Sequence, residues 1–253
     1  MVYYVAYKVS GELKYRSQIV RRLRALGCRQ IRRSFWEVDK TKIGSVIKIL
    51  QDNFVVILKR TREVRKPYIT PEGTFSELGS LVVVAYKIPE EAKKGKIKSL
   101  LKRAPCIRLS RGVYAFAQRH KRFDKNRELV DARTFWGLVR EVDANAVMVP
   151  RVIVANNQIV ESLLEDVRRR VEKEVNSINE GFRILSQKVK HEELNRRHTL
   201  RITRNLRRRF MNAKKLAAFY KEWLRIDFSS ILIKPYPAMR EVRYVLQERY
   251  GST

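Results

Sequence analysis

Two similar segments constrain the fold of this chain more than any other feature of its sequence. Three blocks align in the same order in the two copies: residues 5–8 with 84–87 (VAYK in both), residues 23–38 with 101–116, and residues 47–58 with 138–149. Cys28 falls on Cys106 in that alignment, and Trp36 falls on Tyr114. Chance similarity between two strand–helix segments rarely keeps three blocks collinear, so the sequence indicates an internal duplication.

Both copies show the same succession of hydrophobic periods. Each predicts a strand, a basic helix, a strand or hairpin, a second helix and a last strand, at 3–9, 13–26, 29–38, 42–52 and 54–60 in the first copy and at 81–88, 93–102, 107–118, 132–142 and 146–153 in the second. That order is the βαββαβ unit of ferredoxin-like domains, in which two helices cover one face of an antiparallel sheet. Two such units are therefore expected in tandem.

The pattern changes to helices only after about residue 156. Apolar residues recur every three or four positions as far as Lys190, and Asn156 and Asn157 are candidate N-caps for this helix. A second helix is predicted over 192–224 and a short one over 238–249. Two long helices joined by a tight turn are expected to form a hairpin.

Turn-forming residues separate the two copies. Pro67, Pro71 and Gly73 interrupt the hydrophobic pattern and indicate a linker. The predicted fold class is α+β, with two tandem ferredoxin-like βαββαβ units followed by a long basic α-helical hairpin. Four segments are predicted: unit 1 at 1–66, a linker at 67–80, unit 2 at 81–155 and a basic C-terminal helical region at 156–253.

The net charge lies far outside the range that solubility requires. The sequence has 56 Lys plus Arg and 26 Asp plus Glu, a formal net charge of +30, whereas roughly 2–8 units keep a small domain soluble. Repulsion among so many positive charges destabilises the folded state unless a polyanion neutralises them. No apolar run approaches the roughly 18 residues of a membrane span. Nucleic acid is therefore the expected partner, and no membrane partner is expected.

Motifs of both copies are similar to those of known families. Gly27, Gln30, Ser34, Phe35 and Glu37 fit, at near-family spacing, a hairpin of the small CRISPR-associated adaptation subunit, the second of the Cas proteins, which the first copy resembles. The second copy, with VVVAYKIP and CIRLSRGVYAFAQ, is more similar to the N-terminal domain of chromate-resistance regulators and, more weakly, to the central domain of phenylacetate-pathway repressors. The resemblance covers about the first 155 residues and implies ferredoxin-like units that act on duplex DNA.

One position departs from the adaptation subunit. The family's proposed metal-binding Asp belongs directly after the Tyr of the first strand, where this chain has Lys8 and, in the second copy, Lys87. A hard divalent cation needs oxygen ligands, and an ammonium group repels it. The departure favours a metal site that has been lost; the alternative is that both lysines are solvated residues at strand ends.

No other catalytic or cofactor site is indicated. The chain has two cysteines and three scattered histidines, and it lacks P-loop, dinucleotide-binding and hydrolase signatures. Asp124, Asp131 and Asp143 are interleaved with arginines, which favours ion-paired surface residues over a catalytic cluster. Cys28 and Cys106 follow the first helix of each copy and are expected in the core. The sequence thus predicts a non-enzymatic protein with no metal and no cofactor.

Two basic stretches are the candidate nucleic-acid ligands. The first lies on the first helix and the following strand and comprises Arg21, Arg22, Arg24, Arg32 and Arg33. The second lies in the C-terminal helices and comprises Arg196, Arg197, Arg201, Arg204, Arg207, Arg208, Arg209, Lys214 and Lys215. Four of these share one helical face suited to a phosphate backbone: Arg197, Arg201, Arg204 and Arg208. The alternative is that this face pairs with carboxylates of the preceding helix, such as Glu172, Glu174 and Glu180.

These observations predict a non-catalytic protein that holds the phosphate backbone of structured nucleic acid, with DNA slightly favoured and little base specificity. The strand aromatics are expected in the core: Tyr3, Phe35, Trp36, Tyr114 and Phe116. The alternatives are a ribosome- or RNA-associated factor that binds rRNA, a metal-dependent nuclease with relocated ligands, and a transcriptional regulator. A homodimer through the helical region is also expected. A cytoplasmic location is expected because no signal peptide precedes the first strand. A composition rich in Lys, Arg and Glu is typical of proteins from thermophiles.

Overall fold

A computed structural model describes residues 2–9, 13–71, 73, 75–87, 91–118, 129–191 and 194–251 of the chain. The chain divides into two compact units, Met1–Asp166 and Val167–Thr253. The first contains a large antiparallel sheet, and the described residues of the second form helices and their connections without a strand. The predicted combination of antiparallel strands with long helices is confirmed.

The first unit repeats one order of elements, as the hydrophobic periods predicted. Its first half contains β1 (Val2–Lys8), α1 (Leu13–Ala25), β2 (Arg29–Arg32), β3 (Phe35–Asp39), α2 (Ile43–Leu50) and β4 (Phe54–Arg60). The predicted linker contains a small two-stranded sheet of β5 (Tyr68–Ile69) and β6 (Phe75–Glu77). The second half contains β7 (Leu81–Ala85), α3 (Glu91–Arg103), β8 (Cys106–Ser110), β9 (Val113–Ala117), α4 (Ala132–Arg140) and β10 (Val147–Val154).

Eight of these strands form one sheet, in the order β2-β3-β1-β4-β10-β7-β9-β8. Within each half, the last strand lies on one side of the first strand and the hairpin lies on the other. The halves meet where β4 pairs antiparallel with β10, with Leu58 opposite Val154 and Lys59 opposite Ile153. β4 and β10 would otherwise be edge strands, so their pairing satisfies backbone groups that an edge leaves open.

The hairpins of the two halves share one register. The aligned residues pair in the same way, as Val5–Trp36–Gln30 in the first half and Val84–Tyr114–Arg108 in the second. Both outer strands also carry an irregularity at the aligned position, between Gln30 and Arg32 in β2 and between Arg108 and Ser110 in β8. Bulges at matching positions bend both hairpins at the same point.

The turn of each hairpin needs a left-handed residue at the aligned position. Ser34 has a φ of 59° and Gly112 a φ of 79°. The carbonyl oxygens of both accept hydrogen bonds from the first strands, from Tyr7 N–H at 3.1 Å and from Tyr86 N–H at 2.9 Å. This conformation costs a residue with a side chain about 1–2 kcal/mol and costs glycine much less.

Each half has a hydrophobic core between its helices and the sheet. The first core contains Val5, Tyr7, Ile19, Leu23, Cys28, Trp36, Val38, Val46 and Leu50. The second contains Val84, Tyr86, Ile97, Leu100, Ala104, Cys106, Phe116, Val130, Phe135, Val139 and Ala146. The predicted burial is confirmed for both cysteines and for Phe35, Trp36 and Phe116. Tyr3 and Tyr114 are only half-buried, contrary to the prediction, although Tyr114 packs against the second core. Burial raises the pKa of the Cys28 thiol, which disfavours the reactive thiolate.

The opposite face of the sheet is buried as well. Ala6, Phe35 and Leu58 in the first half, and Val83 and Ala115 in the second, are inaccessible to solvent. β1 also contacts β8, although these strands are far apart in the sheet order. The sheet therefore curves so that its two halves face each other and cover their own apolar residues.

Asn156 does not cap the long helix, contrary to the prediction. Its side chain instead continues the pairing with β4: Ile57 N–H donates to Asn156 Oδ1 at 2.9 Å, and Asn156 Nδ2 donates to the Val55 carbonyl at 2.8 Å. An amide side chain holds both a donor and an acceptor, so it can extend a ladder past the end of a strand. A 3-10 turn at Asn157–Ile159 follows, and then α5 (Val160–Lys190) begins.

The second unit contains most of α5, followed by α6 (Arg196–Leu224), α7 (Ser229–Ile233) and α8 (Tyr236–Tyr250). α6 begins later than predicted because Asn195 caps it, its Oδ1 accepting a hydrogen bond from His198 N–H at 2.8 Å. α5 and α6 approach closely at Gly181, where an added Cβ would lie 2.8 Å from Leu206. No helix among the described residues is long and apolar enough to cross a membrane.

Replacing Gly112 with alanine should lower the free energy of unfolding by about 1–2 kcal/mol, because the new Cβ disfavours the left-handed turn. The matched control is Gly137→Ala, within α4, where an added Cβ meets nothing within 4 Å. That substitution should raise stability by up to about 1 kcal/mol through helix propensity. Urea denaturation measures both, and effects of the same sign would contradict the assigned turn conformation.

Candidate nucleic-acid interface

The exposed face of α6 carries a row of arginines, which we call the arginine stripe: Arg197, Arg201, Arg204 and Arg208. All four side chains are exposed. At 3.6 residues per turn they lie within about 60° of helical arc and extend over about 16 Å of the axis. The buried residues of α6, among them Leu206 and Phe210, lie on the other side of the helix. Core packing therefore directs the stripe toward solvent.

The nearest partners of the stripe are neutral. Arg201 Nη2 lies 3.3 Å from His198 Nδ1, and Arg208 Nη2 donates to Asn205 Oδ1 at 3.3 Å. Within the described part of the chain, no carboxylate forms an ion pair with any of the four arginines. Glu192 and Glu193 lie outside the described residues. Like charges one turn apart destabilise a helix by about 0.2–0.5 kcal/mol per pair, so the stripe carries an electrostatic cost in the free protein.

Arg209 differs from its neighbour Arg208. Its Nε forms an ion pair with Glu174 Oε1 at 2.9 Å, and its Nη2 donates to Ser177 Oγ at 3.0 Å. The contacts that the alternative interpretation expected with α5 thus involve Arg209 and not the arginine stripe. Position on the helix explains the difference, because Arg209 lies on the side of α6 that packs beside α5.

The other predicted ligands in the second unit lie around the stripe. Arg196 and Arg207 are exposed, and Lys214 and Lys215 are half-buried. Lys214 Nζ donates to Tyr236 Oη at 3.4 Å. Arg207 and Lys214 lie on the same side of α6, next to α8.

Of the predicted nucleic-acid ligands in the first unit, four are exposed and one is half-buried. Arg21, Arg22, Arg24 and Arg33 are exposed, and Arg24 Nη2 donates to Gln30 Oε1 at 2.8 Å. Arg32 is half-buried and turns inward, with its Nε 3.6 Å from Asp143 Oδ2 of the second half. It lines a cleft of about 480 Å³ between the halves. The structure therefore does not place Arg32 on one surface with the exposed arginines of α1.

Lys8 has specific partners at the position where the sequence comparison with the adaptation subunit expected an Asp. Its Nζ lies 2.6 Å from Asp166 Oδ2 and 4.2 Å from the centre of the Phe54 ring. Lys87, at the aligned position, is exposed, and its backbone N–H donates to Asp143 Oδ2 at 2.7 Å. Lys8 is therefore an ion-paired residue and not merely a solvated one, whereas the Lys87 side chain faces solvent.

The acidic residues singled out in the sequence have structural partners. Asp131 caps α4, its Oδ1 accepting a hydrogen bond from Thr134 N–H at 2.7 Å. Asp143 accepts from the Lys87 and Asn145 backbones and pairs with Arg32. Among the described residues Asp131 forms this cap and no ion pair, because a helix N-terminus offers its carboxylate free N–H donors. Asp124 lies outside the described residues, among which no cluster of His, Cys, Asp and Glu is arranged to hold a metal ion.

A second exposed face, on α8, was not predicted from the sequence. It contains Tyr236, Arg240, Arg243 and Tyr244, and we call it the tyrosine face. Tyr244 is 68% exposed and Tyr236 38% exposed. The available signal was the spacing of Tyr236, Arg240 and Tyr244, each one turn after the last, which places them on one side of a helix.

Comparisons with known proteins identify no relative of this chain. No family model matches the sequence, no curated protein matches it, and no solved structure matches the fold.

Replacing Lys8 with methionine should lower the free energy of unfolding by about 1 kcal/mol, because the substitution removes both the ion pair with Asp166 and the contact with the Phe54 ring. Lys87→Met is the matched control and should change stability by less than about 0.5 kcal/mol. Thermal or urea unfolding of both variants measures the difference. Equal losses would show that the Lys8 contacts contribute nothing to stability.

Proposed function

We propose that this chain binds the phosphate backbone of structured nucleic acid and catalyses no reaction on it. The observation that carries the proposal is the arginine stripe of α6, exposed and without an ion-paired carboxylate among the described residues. A charged surface usually mixes both signs, and the net charge of +30 shows that this chain does not balance them elsewhere. Phosphate groups would remove the repulsion that the stripe carries in the free protein.

Arginine suits this role better than lysine. Its planar guanidinium donates two parallel hydrogen bonds to a phosphate and is less strongly hydrated than an ammonium. The stripe spans about 16 Å on a rigid helix, so its contacts are arranged before the ligand binds. Contacts of this kind fix the position of a backbone and do not distinguish bases, so binding should depend little on sequence.

The first unit, in this proposal, is a duplicated pair of ferredoxin-like units that meet as a pseudo-dimer within one chain. The shared strand order, the shared register and the bulges at aligned positions support a common origin of the two halves. The exposed arginines of α1 give this unit a second, smaller basic surface. Duplex DNA is the favoured ligand through the resemblance of this unit to DNA-acting families, and folded RNA is the rival.

Replacing Arg197, Arg201, Arg204 and Arg208 with glutamine should reduce the salt dependence of binding by roughly one unit of log–log slope per lost contact, since each neutralised phosphate contributes about −0.9 on duplex DNA. Glutamine keeps the helix propensity of arginine nearly unchanged, and the substitutions remove the repulsion between like charges one turn apart. The melting temperature should therefore not fall and should rise slightly. Fluorescence anisotropy measures binding to duplex DNA and to duplex RNA of one sequence over a series of salt concentrations. The same titrations give the salt dependence of the affinity and the preference for DNA or RNA.

Two controls separate the stripe from charge in general. Arg209→Gln removes one charge at the adjacent position and should lower the melting temperature with little effect on the slope, because Arg209 binds Glu174. A second quadruple variant removes four exposed charges dispersed over the first unit: Lys40→Gln, Lys48→Gln, Lys98→Gln and Arg133→Gln. If this dispersed variant loses as much slope as the stripe variant, the stripe is not the binding site.

Purified protein should leave both duplex and single-stranded substrates intact in the presence of Mg²⁺ or Mn²⁺. The ammonium of Lys8, paired with Asp166, occupies the position of the proposed metal-binding Asp in the family that the first copy resembles. Lys8→Asp would place two carboxylates side by side without completing a metal site. We therefore expect no cleavage from either protein in a gel assay. Cleavage that follows the protein through purification and stops with a chelator would contradict this.

A further inference from the structure

The tyrosine face of α8 is apolar and basic at once. Tyr236 and Tyr244 lie about 12 Å apart along the helix, with Arg240 between them and Arg243 beside them. Neither arginine has an ion-paired carboxylate within the described residues. Glu241 points away from this face and pairs with Lys190 Nζ at 2.7 Å. Glu248 follows one turn after Tyr244 and bounds the face at its C-terminal end.

Tyr236 connects this face to α6. Its ring packs edge-on against Phe210 at 5.5 Å between centroids, and its hydroxyl accepts the hydrogen bond from Lys214. Arg207 lies on the exposed side of α6 between Lys214 and the arginine stripe. Arg207 and Lys214 thus lie on α6 between the stripe and the tyrosines, together with the exposed apolar side chain of Met211, all within the second unit.

An aromatic ring that is 68% exposed gains little from the core of its own protein. Rings flanked by arginines match the chemistry of a nucleobase, whose faces stack on aromatic side chains while its phosphates bind cations. Bases inside a duplex are already stacked and present only their edges in the grooves. Away from the ends of a duplex, only unpaired bases can therefore lie flat on Tyr236 and Tyr244.

We propose that the tyrosine face stacks unpaired bases of the same nucleic acid whose backbone lies along the arginine stripe. This inference rests on the proposed function and narrows its ligand to a duplex joined to a single-stranded segment. The stripe holds the backbone of the paired part, and α8 holds the first unpaired nucleotides beyond it. A blunt duplex would use the stripe alone.

The test compares a blunt duplex with the same duplex carrying a single-stranded extension, each made in DNA and in RNA. The full-length chain should bind the extended ligand about tenfold more tightly, because stacking of one base on an aromatic ring changes affinity by roughly five- to a hundredfold. Tyr244→Ala should abolish that gain and leave blunt-duplex binding unchanged. Tyr244→Phe should keep it, since phenylalanine also stacks.

The matched control is Tyr68→Ala, which removes a tyrosine of the first unit that is 55% exposed and should keep the gain. A photoreactive 5-iodouracil in the extension should crosslink to Tyr236 or Tyr244.

If the extension adds no affinity, or if Tyr244→Ala retains the gain in affinity, the inference is wrong, while stripe-dependent binding of the blunt duplex still supports the proposed function. If the chain binds neither ligand, both proposals fail. If Tyr244→Ala converts a dimer to a monomer in light scattering, the face is a contact between two copies and the inference is overturned.

Discussion

Pairing between β4 and β10 determines how the first unit buries its sheet. Helices cover only one face of each half, so the other face would expose a row of apolar residues such as Phe35 and Val83. Joining the two edges makes one sheet that curves until each half covers the other. The join connects residues far apart in the chain, for example Leu58 and Val154, and such contacts form late because the intervening loop must close first. Because each half alone would expose an apolar face, we expect the two halves to be stable together and not as independent domains.

Local patterns predicted the elements of this fold well. Alternating apolar residues marked the strands, and β4 has the bounds that its hydrophobic run indicated. Residues that depend on distant partners were predicted poorly. Asparagine is common at helix N-caps, yet the side-chain amide of Asn156 pairs with the backbone of β4, because β10 ends beside that strand. Lys8 could be identified as unusual by comparison with a family, but its partner Asp166 could not be found from spacing alone.

The same distinction applies to the candidate interface. Sequence spacing identified the arginine stripe because positions three and four residues apart share a helical face whatever the fold. It could not separate Arg208 from Arg209, since only the packing of α6 against α5 decides which of them reaches Glu174. The tyrosine face was missed for another reason: its four residues are ordinary in a helix of mixed composition. Their exposure becomes visible only when the buried side of α8 is known.

The different surroundings of Lys8 and Lys87 have a consequence for how such a chain evolves. In a symmetric dimer every substitution occurs in both subunits, so a residue cannot acquire a partner on one side only. A fused pair is free of that restriction. α5 begins after the second half and supplies a single Asp166, which anchors the lysine of the first half and leaves its counterpart unconstrained. Under the proposed duplication, one half can specialise in anchoring the first turns of α5 while the other stays open to selection for a different task.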